Sequence, residues 1–122
     1  MKPTESELEI LSVLWNKGSA SVGEVHEEAS KTKNVGYTTT LKLMQIMHEK
    51  KMVQRDESAK KHIYTPTISK EETQSYLLQK MINNLFGGSP AGLILQALGN
   101  HKTSMDELNE IEKKVNDLRK LK

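Results

Sequence analysis

The sequence predicts a mainly α-helical fold with one small β-hairpin, and three features of the 122-residue chain support this prediction. Several stretches place a Ser or Thr three residues before a Glu, immediately ahead of apolar residues at helical spacing. Two short runs near the middle of the chain flank a polar turn. Near the C-terminus, apolar residues recur every three or four positions between charged neighbours, which is typical of a helix that pairs with another surface.

The first two helices are predicted from capping boxes. Thr4-Glu5-Ser6-Glu7 opens a helix that we expect to run to about Asn16, before Gly18 ends it. Ser21-Val22-Gly23-Glu24 opens a second, shorter helix.

The third helix, about Thr38 to Lys51, has two contrasting faces. One stripe at positions i, i+3, i+4 and i+7 should be buried, and it comprises Thr40, Leu43, Met44 and Met47. The opposite stripe carries hydrogen-bond donors and acceptors, namely Thr38, Lys42, Gln45 and Glu49. One face therefore packs, and the other is free to bind.

A basic β-hairpin follows this helix. Met52 to Asp56 and Lys61 to Thr65 are predicted strands around the turn Glu57-Ser58-Ala59-Lys60, and Pro66 ends the second strand. Helix, short helix, helix and hairpin, in this order, are the elements of a winged helix-turn-helix. We assign this domain to residues 1–68.

Residues 69–122 are predicted to form a helical dimerisation region. Ser69, Ser89-Pro90 and Ser104 open three further helices, and Gly87-Gly88 separates the first from the second. The last helix carries a short heptad-like seam, too short to be stable alone. The residues expected to bury against a second copy are Leu93, Ile94, Leu98, Leu108, Ile111, Val115 and Leu118.

The composition agrees with a chain that needs a partner. Only 35% of the residues are hydrophobic and 4% are aromatic, which is little for a self-sufficient core. Burial of apolar surface against a second copy would stabilise such a chain, so we expect a homodimer.

Disulfide, metal and catalytic chemistry are not expected. The chain has no Cys, which excludes disulfides and thiolate metal sites, and its four His are scattered without ligand partners. No phosphate-binding glycine loop or nucleophile motif is present. We expect no cofactor, no bound metal and no enzymatic activity. Because no apolar stretch approaches 18 residues, we expect a cytoplasmic protein without membrane insertion.

The charge distribution points to DNA as the partner. Residues 4–28 hold one Lys and six Glu, whereas residues 31–62 hold eight Lys or Arg and three Asp or Glu. In a major groove, the Gln45 amide suits adenine and the Lys42 ammonium suits guanine. Thr38 and Thr39 offer hydroxyl and methyl groups, and Leu41 at the margin of this face suits a thymine methyl. Arg55, Lys60 and Lys61 on the hairpin are expected to contact phosphates.

Two long stretches resemble the penicillinase repressor family, which includes the BlaI-like and MecI-like regulators and their copper-responsive CopY relatives. GYTTTLKLMQIMHEKKMVQRDESAKKHIYTP resembles the recognition helix and wing, and ESELEILSVLWNKGSASVGEV resembles the first two helices. The resemblance implies a dimeric repressor of a resistance or stress operon that occupies a palindromic operator. It also implies DNA contacts for Tyr37, Thr38, Thr39, Lys42 and Gln45.

The resemblance further implies how repression is relieved. In several members a membrane-bound sensor metalloprotease triggers cleavage in the C-terminal region, so such a protease is an expected partner. The alignment places Gln96-Ala97 where antibiotic-responsive members have an Asn-Phe bond, and this is the implied cleavage position. The Cys-based copper hook of the copper-responsive branch is excluded, because the chain has no Cys.

Two other functions remain open from the sequence. The same fold can bind another polypeptide, in which case the basic wing is incidental. It can also bind DNA without reading bases, through the wing and the lysines alone. The polar residues of the third helix favour sequence reading, and the net charge of only +2 disfavours a purely architectural DNA binder.

Overall fold

A computed structural model describes residues 2–122 and shows six helices and three strands in that range. The helices are α1 Glu5–Lys17, α2 Val22–Ala29, α3 Tyr37–Glu49, α4 Lys70–Leu85, α5 Pro90–Asn100 and α6 Met105–Arg119. The strands are β1 Ala20–Ser21, β2 Val53–Asp56 and β3 Ile63–Pro66. The predicted fold class, mainly α with a small β-hairpin, is confirmed.

The capping boxes form as predicted. At the start of α1, the Glu7 amide donates to Thr4 Oγ1 over 3.2 Å and the Thr4 amide donates to Glu7 Oε1 over 2.8 Å. Ser21 and Glu24 exchange the same two bonds at the start of α2. α1 ends at Gly18, whose φ of +86° favours glycine and whose amide donates to the Leu14 carbonyl.

The sheet has one strand more than the sequence predicts. β2 and β3 form the expected antiparallel hairpin, and β1 pairs with the other edge of β3, which gives the order β1-β3-β2. Ala20 lies opposite Tyr64, and Ser21 lies opposite Ile63. This sheet ties the hairpin, through β3, to the segment between α1 and α2.

The core lies between the first three helices and the sheet. The predicted inner stripe of α3 faces it, with Thr40, Met44 and Met47 buried and Leu43 half-buried against the cluster. The other buried apolar residues of this core are Ile10, Leu11, Leu14, Ala20, Val22, Val25, Met52, Val53 and Tyr64.

Contacts within the chain divide it into two compact units. The first ends at Leu77 and the second begins at Leu78, both inside α4. In the first unit, the Trp15 indole N–H donates to the Ile68 carbonyl over 3.0 Å, which ties the approach to α4 to α1. In the second unit, α5 and α6 contain no buried residue. Within residues 2–122, none of the helices has the length and apolar character needed to cross a bilayer.

Candidate nucleic-acid interface

The outward face of α3 is polar and accessible. Thr38, Lys42 and Gln45 are exposed along it, and Tyr37 at the first position of the helix is 50% exposed. This face is held in place because the opposite face carries the buried Thr40, Met44 and Met47, as the helical spacing predicts.

One side of α3 forms a groove of about 350 Å³ with the hairpin. Tyr37, Leu41 and Gln45, spaced four residues apart, line the helix side of this α3–wing groove. The wing contributes residues predicted from the sequence to contact phosphates, namely Arg55, Lys60 and Lys61. The structure therefore brings base-reading and phosphate-binding candidates to one groove, although they belong to separate elements of the chain.

The remaining α3 candidates lie elsewhere on the helix. Thr38 and Lys42 are exposed outside the lining of the α3–wing groove. Thr39 is exposed but borders a different hollow, of about 380 Å³, between α3 and the helices α1 and α2. Leu41 is half-buried and packs against the core as well as lining the groove.

Arg55 differs from the other two wing cations. Its side chain is only 21% exposed, and its Nη2 lies 3.4 Å from Glu57 Oε2. A hydrogen bond with the buried Tyr64 raises the pKa of the Arg55 guanidinium above its ordinary value, and the charge of Glu57 acts in the same direction. The Arg55 side chain is thus held in the wing by Tyr64 and Glu57.

Some lysines of the basic segment form ion pairs, and others do not. Lys31 pairs with Glu28 at 2.8 Å, Lys33 with Glu9 at 2.7 Å, and Lys50 with Glu7 at 2.9 Å. In contrast, no carboxylate of residues 2–122 lies within ion-pair distance of the exposed Lys42, Lys60 and Lys61. These three ammonium groups remain available to an anionic partner.

The N-terminus of α3 has no side-chain cap. Gly36 occupies the N-cap position with a φ of −76°. Because glycine has no side chain, no side chain accepts hydrogen bonds from the first amides of the helix. These amides point to the same end of α3 as the exposed Tyr37, and uncapped helix N-termini favour phosphate groups. Sequence reasoning missed this feature, and the signal was the lack of Ser, Thr, Asp or Asn at position 36.

The model of the penicillinase repressor family matches residues 3–117. The chain belongs to the penicillinase repressor family. The match confirms the resemblance that was based on the first two helices, the recognition helix and the wing. It also extends over the C-terminal helices.

Named relatives of this family member are repressors. A penicillinase repressor of Staphylococcus aureus is 25% identical over 115 residues, which cover 94% of this chain and 91% of the relative. A penicillinase repressor of Bacillus licheniformis is 25% identical over 108 residues, which cover 88% and 84%. The methicillin resistance regulatory protein MecI of Staphylococcus aureus strain N315 is 22% identical over 113 residues, which cover 93% and 92%.

A solved structure supports the fold of the first unit. The solution structure of the DNA-binding domain of the repressor BlaI matches with a TM-score of 0.52 and 26% identity, and it covers 59% of this chain and 93% of that domain. The predicted winged helix-turn-helix is therefore confirmed.

In this penicillinase repressor family member, a buried carboxylate anchors the end of α3. The Glu7 side chain is 2% exposed and accepts hydrogen bonds from the Thr4 amide and from Lys50 Nζ. Burial raises the pKa of the Glu7 carboxyl, but these bonds and the Lys50 charge outweigh it, so the pKa lies below its ordinary value. Glu7 thus remains ionised and holds the residue after α3 to the first turn of α1. The capping box in the sequence predicts the hydrogen bonds between Glu7 and Thr4 but not the ion pair of Glu7 with Lys50.

An aromatic contact supports the other end of α3. The Tyr37 ring meets the His26 ring edge to face, with centroids 5.7 Å apart and planes at 82°. His26 comes from α2, so this contact fixes the side chain that opens the α3–wing groove. Among the described residues, no group of three His, Cys, Asp or Glu is arranged to hold a metal ion.

Proposed function

We propose that this chain is a sequence-specific DNA-binding repressor that acts as a homodimer on a palindromic operator of a resistance or stress operon. The observation that carries this proposal is the α3–wing groove, where α3 side chains suited to base edges adjoin wing lysines that form no ion pair within residues 2–122. A helix of this exposure and polarity fits the major groove, and the wing then reaches the flanking backbone.

Base reading belongs to the exposed side chains of α3. Gln45 suits adenine and Lys42 suits guanine, because their groups match the major-groove edges of those bases. Thr38 and Thr39 offer hydroxyl and methyl groups near the helix start, while the accessible part of Leu41 suits a thymine methyl. Tyr37, half exposed at the first turn of α3, belongs to the same base-reading set.

Phosphate binding belongs to the wing and to the start of α3. Lys60 and Lys61 lie on the groove and form no ion pair within residues 2–122, so each gains a phosphate contact without breaking an ion pair. Arg55 adds a fixed charge at the wing base. The uncapped amides after Gly36 supply hydrogen-bond donors whose direction the helix sets.

The homodimer is supported by the apolar surface of the second unit. α5 and α6 bury none of their own residues, yet they carry many large apolar side chains. Exposure of so much apolar surface to water is unfavourable for a small helical unit. Pairing with a second copy buries this surface and stabilises the unit. The proposed interface residues are Leu93, Ile94, Leu98, Leu108, Ile111, Val115 and Leu118.

Repression and its release follow from this linkage. Two half-site contacts joined in one dimer bind far more tightly than either alone, so any event that breaks the C-terminal pairing releases the operator. The proposal includes a membrane sensor metalloprotease as the trigger and cytoplasmic action on DNA. Gln96 and Ala97, the implied cleavage position, are both exposed on α5.

The test is selection from a random duplex library at physiological salt, followed by sequencing of the retained duplexes over several rounds. The proposal expects enrichment of an inverted repeat whose half-sites are about one helical turn apart. Retention of duplexes without sequence enrichment would instead indicate architectural binding, and no retention at all would indicate a protein partner.

A further inference from the structure

The exposed apolar side chains of α6 form a symmetric pattern about Lys113. Six of them follow the helix and the residues just after it, with exposures from 36% to 82%. They fall into three pairs, each equidistant from Lys113: Met105 and Leu121, Leu108 and Leu118, Ile111 and Val115. We call these six residues the α6 stripe. Its inner four members are the seam predicted from the sequence.

The charges of the same segment are antisymmetric about that residue. Before Lys113 the charged side chains of α6 are all acidic, namely Asp106, Glu107, Glu110 and Glu112. After it they are basic apart from Asp117, namely Lys114, Arg119, Lys120 and Lys122. Residues 105–122 therefore have an acidic half and a basic half, and all of them are exposed.

We propose that α6 pairs antiparallel with α6 of a second copy, with the two-fold axis at Lys113. Residues equidistant from Lys113 then lie at the same level of the pair, so Leu108 meets Leu118 of the second copy and Ile111 meets Val115. A two-fold interface requires this reciprocity, in which each residue of a pair contacts the other. The α6 stripe satisfies it for all six of its members.

The charges select this orientation over the parallel one. In the antiparallel pair, the acidic half of one α6 lies at the level of the basic half of the other, and Glu107 and Arg119, which flank the α6 stripe, lie at the same level. A parallel pair would place acidic beside acidic and basic beside basic, which is unfavourable along the whole helix. Lys113 itself is exposed, so the two copies of its ammonium group can separate into water.

This inference rests on the homodimer of the proposed function and adds its geometry. The seam spans less than three heptads, so α6 pairing alone is marginal and the rest of the second unit must add to the interface. The α6 pairing determines which residues of two copies approach each other, and this can be measured separately from dimerisation itself.

Cysteine cross-linking in the full-length chain tests the orientation, because the native chain has no Cys. Leu108→Cys and Leu118→Cys are made separately, and a short bismaleimide is added to each variant and to a co-refolded equal mixture. The antiparallel pair predicts covalent dimers only in the mixture, in about half of the dimers, the statistical share of those with one copy of each variant. Two copies of residue 108 would be about 15 Å apart along the axis, out of reach of the reagent. Ser58→Cys on the wing turn is the control and should not cross-link.

The outcomes separate the two levels of the proposal. Cross-linking of Leu108→Cys alone would show a parallel pair and overturn the inference while the dimer stands. A dimer in sedimentation that cross-links in none of these samples would show that α6 does not pair with itself. A monomer for the native chain would overturn the homodimer as well.

Met105→Cys and Leu121→Cys, at the two exposed ends of the α6 stripe, provide an independent test if the Leu108 and Leu118 variants do not fold. The antiparallel pair predicts cross-linking of their co-refolded mixture and of neither variant alone, because two copies of residue 105 would be about 24 Å apart along the axis. Cross-linking of either variant alone would show a parallel pair and overturn the orientation.

Discussion

At the level of single side chains, ion pairing distinguishes lysines that stabilise the fold from lysines that can bind DNA. Lys50 pairs with a buried carboxylate, and Lys31 pairs with a neighbour on α2. Lys42 and Lys60 have no carboxylate of residues 2–122 within ion-pair distance. Charge alone does not distinguish these lysines in the sequence, because their partners are set by the fold.

Glu7→Gln should destabilise the first unit in a pH-dependent way. Because the folded-state pKa of Glu7 is lowered, its contribution is complete above the ordinary glutamate pKa and is lost as the pH falls through the folded-state value. The variant should therefore lose about 1–3 kcal/mol of unfolding free energy at pH 7, and this difference should shrink below about pH 4.

Urea unfolding followed by the fluorescence of Trp15, the single Trp, measures this change at fixed protein concentration. Glu9→Gln is the control, because its pair with Lys33 is about half exposed and should contribute little. A pH-independent difference between wild type and Glu7→Gln would contradict the ionised Glu7.

Alanine substitutions should separate base reading from phosphate binding. Lys42→Ala and Gln45→Ala should each cost roughly 1–3 kcal/mol on the selected operator and relax base preference, whereas Lys60→Ala should weaken all duplexes about equally. Titrations at several salt concentrations measure both effects, and Lys31→Ala serves as an ion-paired control. The same loss on operator and random duplexes for Lys42 and Gln45 would contradict direct reading by α3.

At the level of elements, the sequence predicted the features that local chemistry determines. Capping boxes act within one turn of helix, so the starts of α1, α2 and α6 followed from residue types alone. Strand β1 did not, because two residues have no periodicity and its partner β3 is more than forty positions away. The Glu7–Lys50 pair and the groove between α3 and the wing also join distant segments, which no local pattern reveals.

Gly36→Asp tests the uncapped start of α3. The position has a negative φ, and the space that a Cβ would occupy there is open, so Asp fits without strain and should cap the helix, stabilising the fold by about 0.5 kcal/mol. The same carboxylate would occupy the free amides and repel phosphate, so operator affinity should fall roughly tenfold. Thermal melts and operator titrations measure the two effects, with Gly36→Ala as the uncharged control. A capped variant that binds the operator normally would exclude these amides from the interface.

At the level of the whole molecule, the chain combines a unit that folds around its own core with a unit that leaves most of its large apolar side chains exposed. The core residues belong to the first unit, whereas Ile111 and Leu118 of α6 are 36% and 48% exposed. Under the proposed function, the first unit supplies the DNA-binding surface, and the strength of operator binding depends on the pairing of the second unit.

Ile111→Asp should abolish dimers and operator binding together. A charge in the seam would have to be buried on pairing, which is costly, while α6 of a monomer keeps it in water. Sedimentation and operator titration measure the two losses, and Asn109→Asp adds the same charge to α6 off the seam as a control. A variant that stays dimeric and bound would refute the C-terminal interface.

The most direct test of a dimer that reads two half-sites is to change their spacing in the selected operator. Insertion of about five base pairs between the half-sites turns them to opposite faces of the duplex, since one turn takes about ten. The affinity of the proposed dimer should fall to that of an isolated half-site, a loss on the order of a hundredfold. Equal affinity for both spacings would contradict this dimer, because the two copies would then not bind as one unit.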